Sequence, residues 1–122
     1  MEGLDKILRK IKKNKNVVAI YLFGSYAKKE SNPLSDIDIC VILKNPNEKD
    51  EYEIGSMYSQ KLDLVLFHRL PLHIQFEVFK FGKELYVKDE EILSEIKFKV
   101  LRDFHERVRS FKMIRESILN ED

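Results

Sequence analysis

The stretch YLFGSYAKKESNPLSDIDICVIL, Tyr21 to Leu43, decides how this chain is read. It runs from the end of one apolar strand, through a Gly-Ser turn and a short helical or looped segment, into a second strand. That second strand opens with Asp36 and Asp38 at alternate positions. Successive strand side chains point to opposite faces, so the two carboxylates share a face and lie side by side. At ~4 Å and an effective dielectric of about 20 they repel by roughly 4 kcal/mol. A hard divalent cation is the usual remedy. The stretch predicts a site for metal and triphosphate.

The residues ahead of the aspartates suit that chemistry. Gly24 has no Cβ and lets the backbone come close to phosphate oxygens. Ser25 can cap a short helix over residues 26–30, whose free N–H groups and hydroxyl would hold an anion. Standing alone, a Gly-Ser turn is an ordinary strand ending. Ser31-Asn32-Pro33 breaks the chain into a loop before the second strand.

Outward from this centre the pattern is that of one small domain. Residues 3–16 place Leu4, Ile7, Leu8 and Ile11 on one face of an amphipathic helix whose lysines and arginine form a solvated face. Val17 to Phe23 is a strand apolar on both faces. In the second strand, Asp36 to Leu43, one face carries Ile37, Ile39, Val41 and Leu43 and the other Asp36, Asp38, Cys40 and Ile42. The acids thus sit at the strand's mouth. Residues 45–60 read as a loop or a poorly ordered helix, and Leu62 to Phe67 as a third strand bearing one acid, Asp63. Pro71 opens a helix that Gly82 stops, Glu84 to Val87 makes a short strand, and a helix spans about 89–120. On that last helix Leu101, Phe104, Val108, Phe111 and Ile118 form a narrow seam that can meet its own domain or another chain.

Composition narrows the class further. The chain has 122 residues, enough for one core and too few for two. Its 22 basic and 21 acidic residues nearly cancel, which disfavours wholesale nucleic-acid binding. No run is apolar enough to span a membrane, no signal peptide is visible, and the single Cys40 reads as a buried free thiol. A cytoplasmic protein is the expectation. His68, His73 and His105 show no zinc-site spacing and read as structural or exposed.

Gly24-Ser25, a ten-residue spacer, Asp36-Ile37-Asp38 and a lone Asp63 on the following strand together resemble the nucleotidyltransferase superfamily. The short length, and the stretches KLDLVLFHRLP and FEVFKFGKELYVKDEE, resemble its minimal group, which includes MntA-type antitoxins paired with HEPN toxins. The resemblance covers about residues 19–115. It implies the polymerase-β-like nucleotidyltransferase fold, an α/β (α+β) domain over residues 1–122 with a short mixed sheet and helices packed on it. It implies that Asp36, Asp38 and Asp63 are catalytic and bind two Mg²⁺ ions, and that Gly24, Ser25, Lys28 and Ser35 contact ATP. Where relatives commonly carry Arg-Gly, this chain has Lys28-Lys29, and lysine lacks the two-pronged guanidinium fork.

The reaction so implied is in-line attack of a hydroxyl on the α-phosphate, with pyrophosphate leaving. The acceptor would be a tyrosine of a partner HEPN toxin, and the last helix, 89–120, the element that binds it. Two alternatives stand beside it. One is an antitoxin that neutralises by binding alone. The other is a small-molecule nucleotidyltransferase of the aminoglycoside kind, although no added acceptor domain is visible.

Overall fold

The computed structural model describes residues 2–23, 37–57 and 62–119. The elements follow in the order α1 (Glu2–Lys12), β1 (Val17–Phe23), β2 (Ile37–Leu43), α2 (Glu48–Gly55), β3 (Leu62–Leu66), a 3-10 turn (Phe67–Arg69), α3 (Leu72–Phe81), β4 (Lys83–Val87) and α4 (Glu90–Leu119). The four strands form one sheet in the order β3-β2-β1-β4. β2 and β3 run parallel, and β1 is antiparallel to both of its neighbours.

Helices cover both faces, which is why β1 and the later part of β2 are apolar on both sides. One face carries Ile20, Ile39, Val41, Leu43 and Leu62 against Ile11 of α1 and Ile54 of α2. The other carries Tyr21, Cys40 and Ile42 against Val78 of α3 and Leu93 and Val100 of α4. The expected division of β2 into an odd and an even face therefore holds from Asp38 onward. Val18 and Ala19 break the alternation in β1, both lying in the cluster beneath α3 and α4. The register slips between Val17 and Ala19, and the extra residue of a bulge brings two neighbours to one side.

Of the loop or poorly ordered helix expected over residues 45–60, residues 48–55 are a well-formed helix. The Asn47 side chain accepts a hydrogen bond from the Asp50 N–H, and acids fill the first turn, as a helix N-terminus favours. Ile54 then anchors the helix in the core. Asn14, Asn16 and Asn47 all donate to the Asp50 carboxylate, joining α2 to the turn between α1 and β1. Those hydrogen bonds hold the Asp50 carboxyl below its ordinary pKa.

The long helix α4 has two halves. Up to Phe104 it packs on its own domain, with Leu93 and Val100 buried and Phe104 stacked on Phe76 at 4.0 Å between ring centroids. Beyond Phe104 the seam continues without cover among the described residues, and Phe111, Ile114, Ile118 and Leu119 are each at least 60% exposed.

Candidate active site

Asp38 and Asp63 occupy the same level of the sheet. In the parallel pairing of β2 with β3, Asp38 is the register partner of Asp63, one residue from where each strand begins. Register partners on adjacent parallel strands project to one side about 4.8 Å apart. Asp38 alternates with Cys40 and Ile42, and Asp63 with Val65, so both acids lie on the face beneath α3 and α4. Farther along this face the same positions are filled by apolar core. At the strands' mouth Asp38 is half-buried and Asp63 exposed. The carboxylates are thus within reach of solvent, where a hydrated cation and a phosphate chain can approach.

β1 ends at the same level. Phe23, the residue before Gly24, is the register partner of Asp38 in the antiparallel pairing of β1 with β2. Gly24, Ser25, Lys28, Ser35 and Asp36 lie outside the described residues, so the structure speaks to two of the three expected acids. Among the described residues no cluster of three or more potential metal ligands occurs, and the histidines join none. His73 and His105 are exposed, and His68 is hydrogen-bonded to Glu51 on α2.

A further acid on this face escaped the sequence reading. Glu84 of β4 accepts hydrogen bonds from the Tyr21 hydroxyl at 2.8 Å and from Lys97 Nζ of α4 at 3.0 Å. A second register slip, between Ile20 and Tyr21, brings Glu84 opposite Tyr21. Burial pushes the Tyr21 hydroxyl up to about 12, keeping it a proton donor, while Lys97 and Tyr21 hold the Glu84 carboxyl below its ordinary pKa. Glu84 is thereby committed to tying α4 to the sheet. No sequence spacing signals a contact between residues 84 and 97 that depends on a bulge and on a helix crossing.

Gly82 closes the junction between α3 and this end of the sheet. Its backbone is extended, and the glycine is required by contact: a Cβ there would lie 2.2 Å from the Val78 carbonyl oxygen and 3.2 Å from that of Leu22. The end of α3 can therefore seat directly on β1, one residue short of Phe23.

Residues 5–91 match the family described as Polymerase beta, Nucleotidyltransferase. A protein of Methanocaldococcus jannaschii, whose name provisionally assigns it protein adenylyltransferase activity, is 40% identical over 108 residues, covering 84% of this chain and 86% of that protein. Among solved structures, a chain of a toxin–antitoxin complex crystallised with AMP-PNP superposes with a TM-score of 0.69 at 22% identity, covering 97% of each chain. A chain from a complex of tri-AMPylated Shewanella oneidensis HEPN toxin with its MNT antitoxin gives 0.64 at 21% identity, covering 97% of this chain and 94% of that one. These structures share the fold, a mixed sheet flanked by helices. The family match spans the turn, both acid-bearing strands and all four strands of the sheet, and the chain belongs to the polymerase beta nucleotidyltransferase family.

Proposed function

We propose that this protein transfers AMP from ATP, with Mg²⁺, to a hydroxyl of a partner protein, and that the partner is a HEPN-type toxin which it thereby neutralises as an antitoxin. The observation that carries the reading is the shared level of Asp38 and Asp63 at the open end of parallel strands. Two oxygen-rich side chains about 4.8 Å apart suit a hard divalent cation. Bound there, Mg²⁺ would polarise the α-phosphate and lower the pKa of the attacking hydroxyl.

The chain's own residues divide the remaining work. Asp38 and Asp63, with Asp36 as third member, hold the charge of the site and orient the acceptor hydroxyl, and Asp63 takes up its proton. Gly24 and Ser25 seat the phosphates by backbone N–H groups, with Lys28 as counter-charge and Ser35 orienting Asp36. The preference for AMP and for a protein acceptor is supported by the name of the Methanocaldococcus jannaschii relative. The toxin partner is supported by the complexes with which the fold compares. The apolar stripe of α4 suits it as the docking element, since Phe111, Ile114 and Ile118 lie on one side of the helix and are each at least 60% exposed.

Incubation with ATP labelled at the α-phosphate, Mg²⁺ and its HEPN-type partner protein tests the reading. Label should appear on the partner, and Asp38→Asn should abolish it. Absence of transfer by the unaltered protein would overturn the catalytic proposal. The exposed stripe on α4 also favours a second reading, neutralisation by binding alone. In that case an Asp36→Asn/Asp38→Asn protein would still protect cells from the toxin.

A further inference from the structure

The near-zero net charge of the chain hides a local excess on α1. Residues 2–15 hold six basic residues against two acidic ones. Lys6, Arg9, Lys10, Lys12, Lys13 and Lys15 are all exposed. Among the described residues none of the six forms an ion pair, not even with Asp5 on the same helix.

Their placement is regular. Lys6, Arg9 and Lys10 stand at i, i+3 and i+4 of α1, and Lys13 follows in the turn that closes the helix. At 1.5 Å per residue these four make a basic stripe about 10 Å long. Like charges at i and i+4, as Lys6 and Lys10 are, weaken a helix. The helix dipole favours basic residues in the last turn, which accounts for Arg9, Lys10 and Lys12 but not for Lys6. β4 widens the patch at that end. Lys88 Nζ donates to the Lys15 carbonyl at 2.9 Å, and Lys12 Nζ lies 5.0 Å from the centre of the Tyr86 ring.

We propose that the outer face of α1 docks the phosphate backbone of a nucleic-acid strand. Four basic residues over this length give one charge per about 3.5 Å, close to the one phosphate per about 3.4 Å along each strand of a duplex. An extended acidic peptide offers a carboxylate on one face only every ~6.6 Å. A protein partner would also find nothing apolar here. The exposed side chains of α1 are Asp5, Lys6, Arg9, Lys10 and Lys12, and lysine is depleted at protein interfaces. A helix lying in a membrane surface needs its apolar face, whereas Ile11 is buried in the core with Leu4, Ile7 and Leu8 packed around it. The Tyr86 ring is half-buried with Lys12 over it, so the contacts go to phosphate and carry no sequence preference. α1 covers the sheet face opposite Asp38 and Asp63, and the inference is independent of the transferase reading.

Fluorescence anisotropy of the full chain with a labelled 20-nucleotide single-stranded RNA of mixed sequence tests it. The Kd should be about 10 μM or tighter in 50 mM NaCl. Release of counterions from three or four phosphates gives a slope of about −2 to −3 in log K against log salt, so 200 mM NaCl should weaken binding about 20- to 50-fold. Lys6→Gln/Lys10→Gln/Lys13→Gln should weaken it about tenfold or more at 50 mM, and Lys6→Gln alone should flatten the slope by about 0.7. Arg109→Gln/Lys112→Gln, equally exposed changes on α4, should leave the Kd within about twofold. No binding at 50 mM NaCl, or an equal loss from the α4 pair, would overturn the proposal. So would labelled poly-glutamate or phosphatidylglycerol vesicles binding as tightly as the RNA, since the face would then serve an acidic protein or a membrane.

Discussion

Replacing Asp63 by asparagine should raise the stability of the ligand-free protein and abolish the stabilisation by Mg²⁺ and ATP that the proposed function requires. The reasoning starts from the register of β2 and β3, which makes Asp38 and Asp63 direct neighbours. At the ~4.8 Å of adjacent strands, two negative charges repel by about 0.9 kcal/mol in bulk water and about 3.5 kcal/mol at an effective dielectric of 20. Asp38 is half-buried and Asp63 exposed, so the relevant value lies toward the lower bound, about 1–2 kcal/mol. For a domain of this size each kcal/mol is worth roughly 3–6 °C in Tm. Asp63→Asn should therefore melt several degrees above the unaltered protein when both are free of ligand.

With Mg²⁺ and ATP at about a hundred times Kd, the unaltered protein gains about 2.7 kcal/mol and overtakes the variant, which gains almost nothing. The order of the two melting curves should thus reverse on adding ligand, as differential scanning fluorimetry or calorimetry can record. A variant less stable without ligand, or one that keeps the full ligand-induced rise, would refute the claim that the two acids repel and share a cation.

Gly82→Ala should cost about 2–3 kcal/mol in urea unfolding, since the new Cβ meets rigid backbone oxygens at Val78 and Leu22; a loss below about 0.5 kcal/mol would contradict the packing of α3 on β1. Phe111→Asp and Ile118→Asp should leave Tm nearly unchanged, because both side chains are exposed, yet should abolish co-purification with the proposed HEPN-type partner. The Glu51 carboxyl is lowered from 4.5 to about 2 by Arg69 and His68, so the stability it contributes is present above about pH 4.5 and lost as pH falls toward 2. Glu51→Gln should flatten that acid limb in a pH series of melting curves. Tyr21→Phe removes the hydroxyl that donates to Glu84 and should lower stability by about 1 kcal/mol, measured by the same unfolding assay.

Several features were legible in the chain because they depend on short-range pattern. Period-two alternation placed Asp38 on the face opposite Ile39 and Val41, and both clusters obey it. Pro71 and Gly82 bracketed α3, the first by its fixed φ and the second by the absence of a Cβ, and α3 spans Leu72–Phe81. The polar composition of residues 48–55 left loop and helix open, since a helix with one buried anchor, Ile54, is nearly all surface. The two bulges, at Val18 and Leu85, have no short-range signal, because they arise from fitting β1 between two partners of different register.

By itself the sequence determined the family, the strands that carry Asp38 and Asp63 and the face of β2 on which Asp38 lies, since each follows from residue identity and local periodicity. Only the tertiary structure decided that β2 and β3 are parallel neighbours with Asp38 level with Asp63. Only it decided that α4 is half core and half bare stripe, and that His68 of the 3-10 turn is tied to Glu51 of α2. Strand order, register and helix crossing are set by the packing of segments far apart in the chain, and that balance of long-range contacts is not written in any one stretch of it.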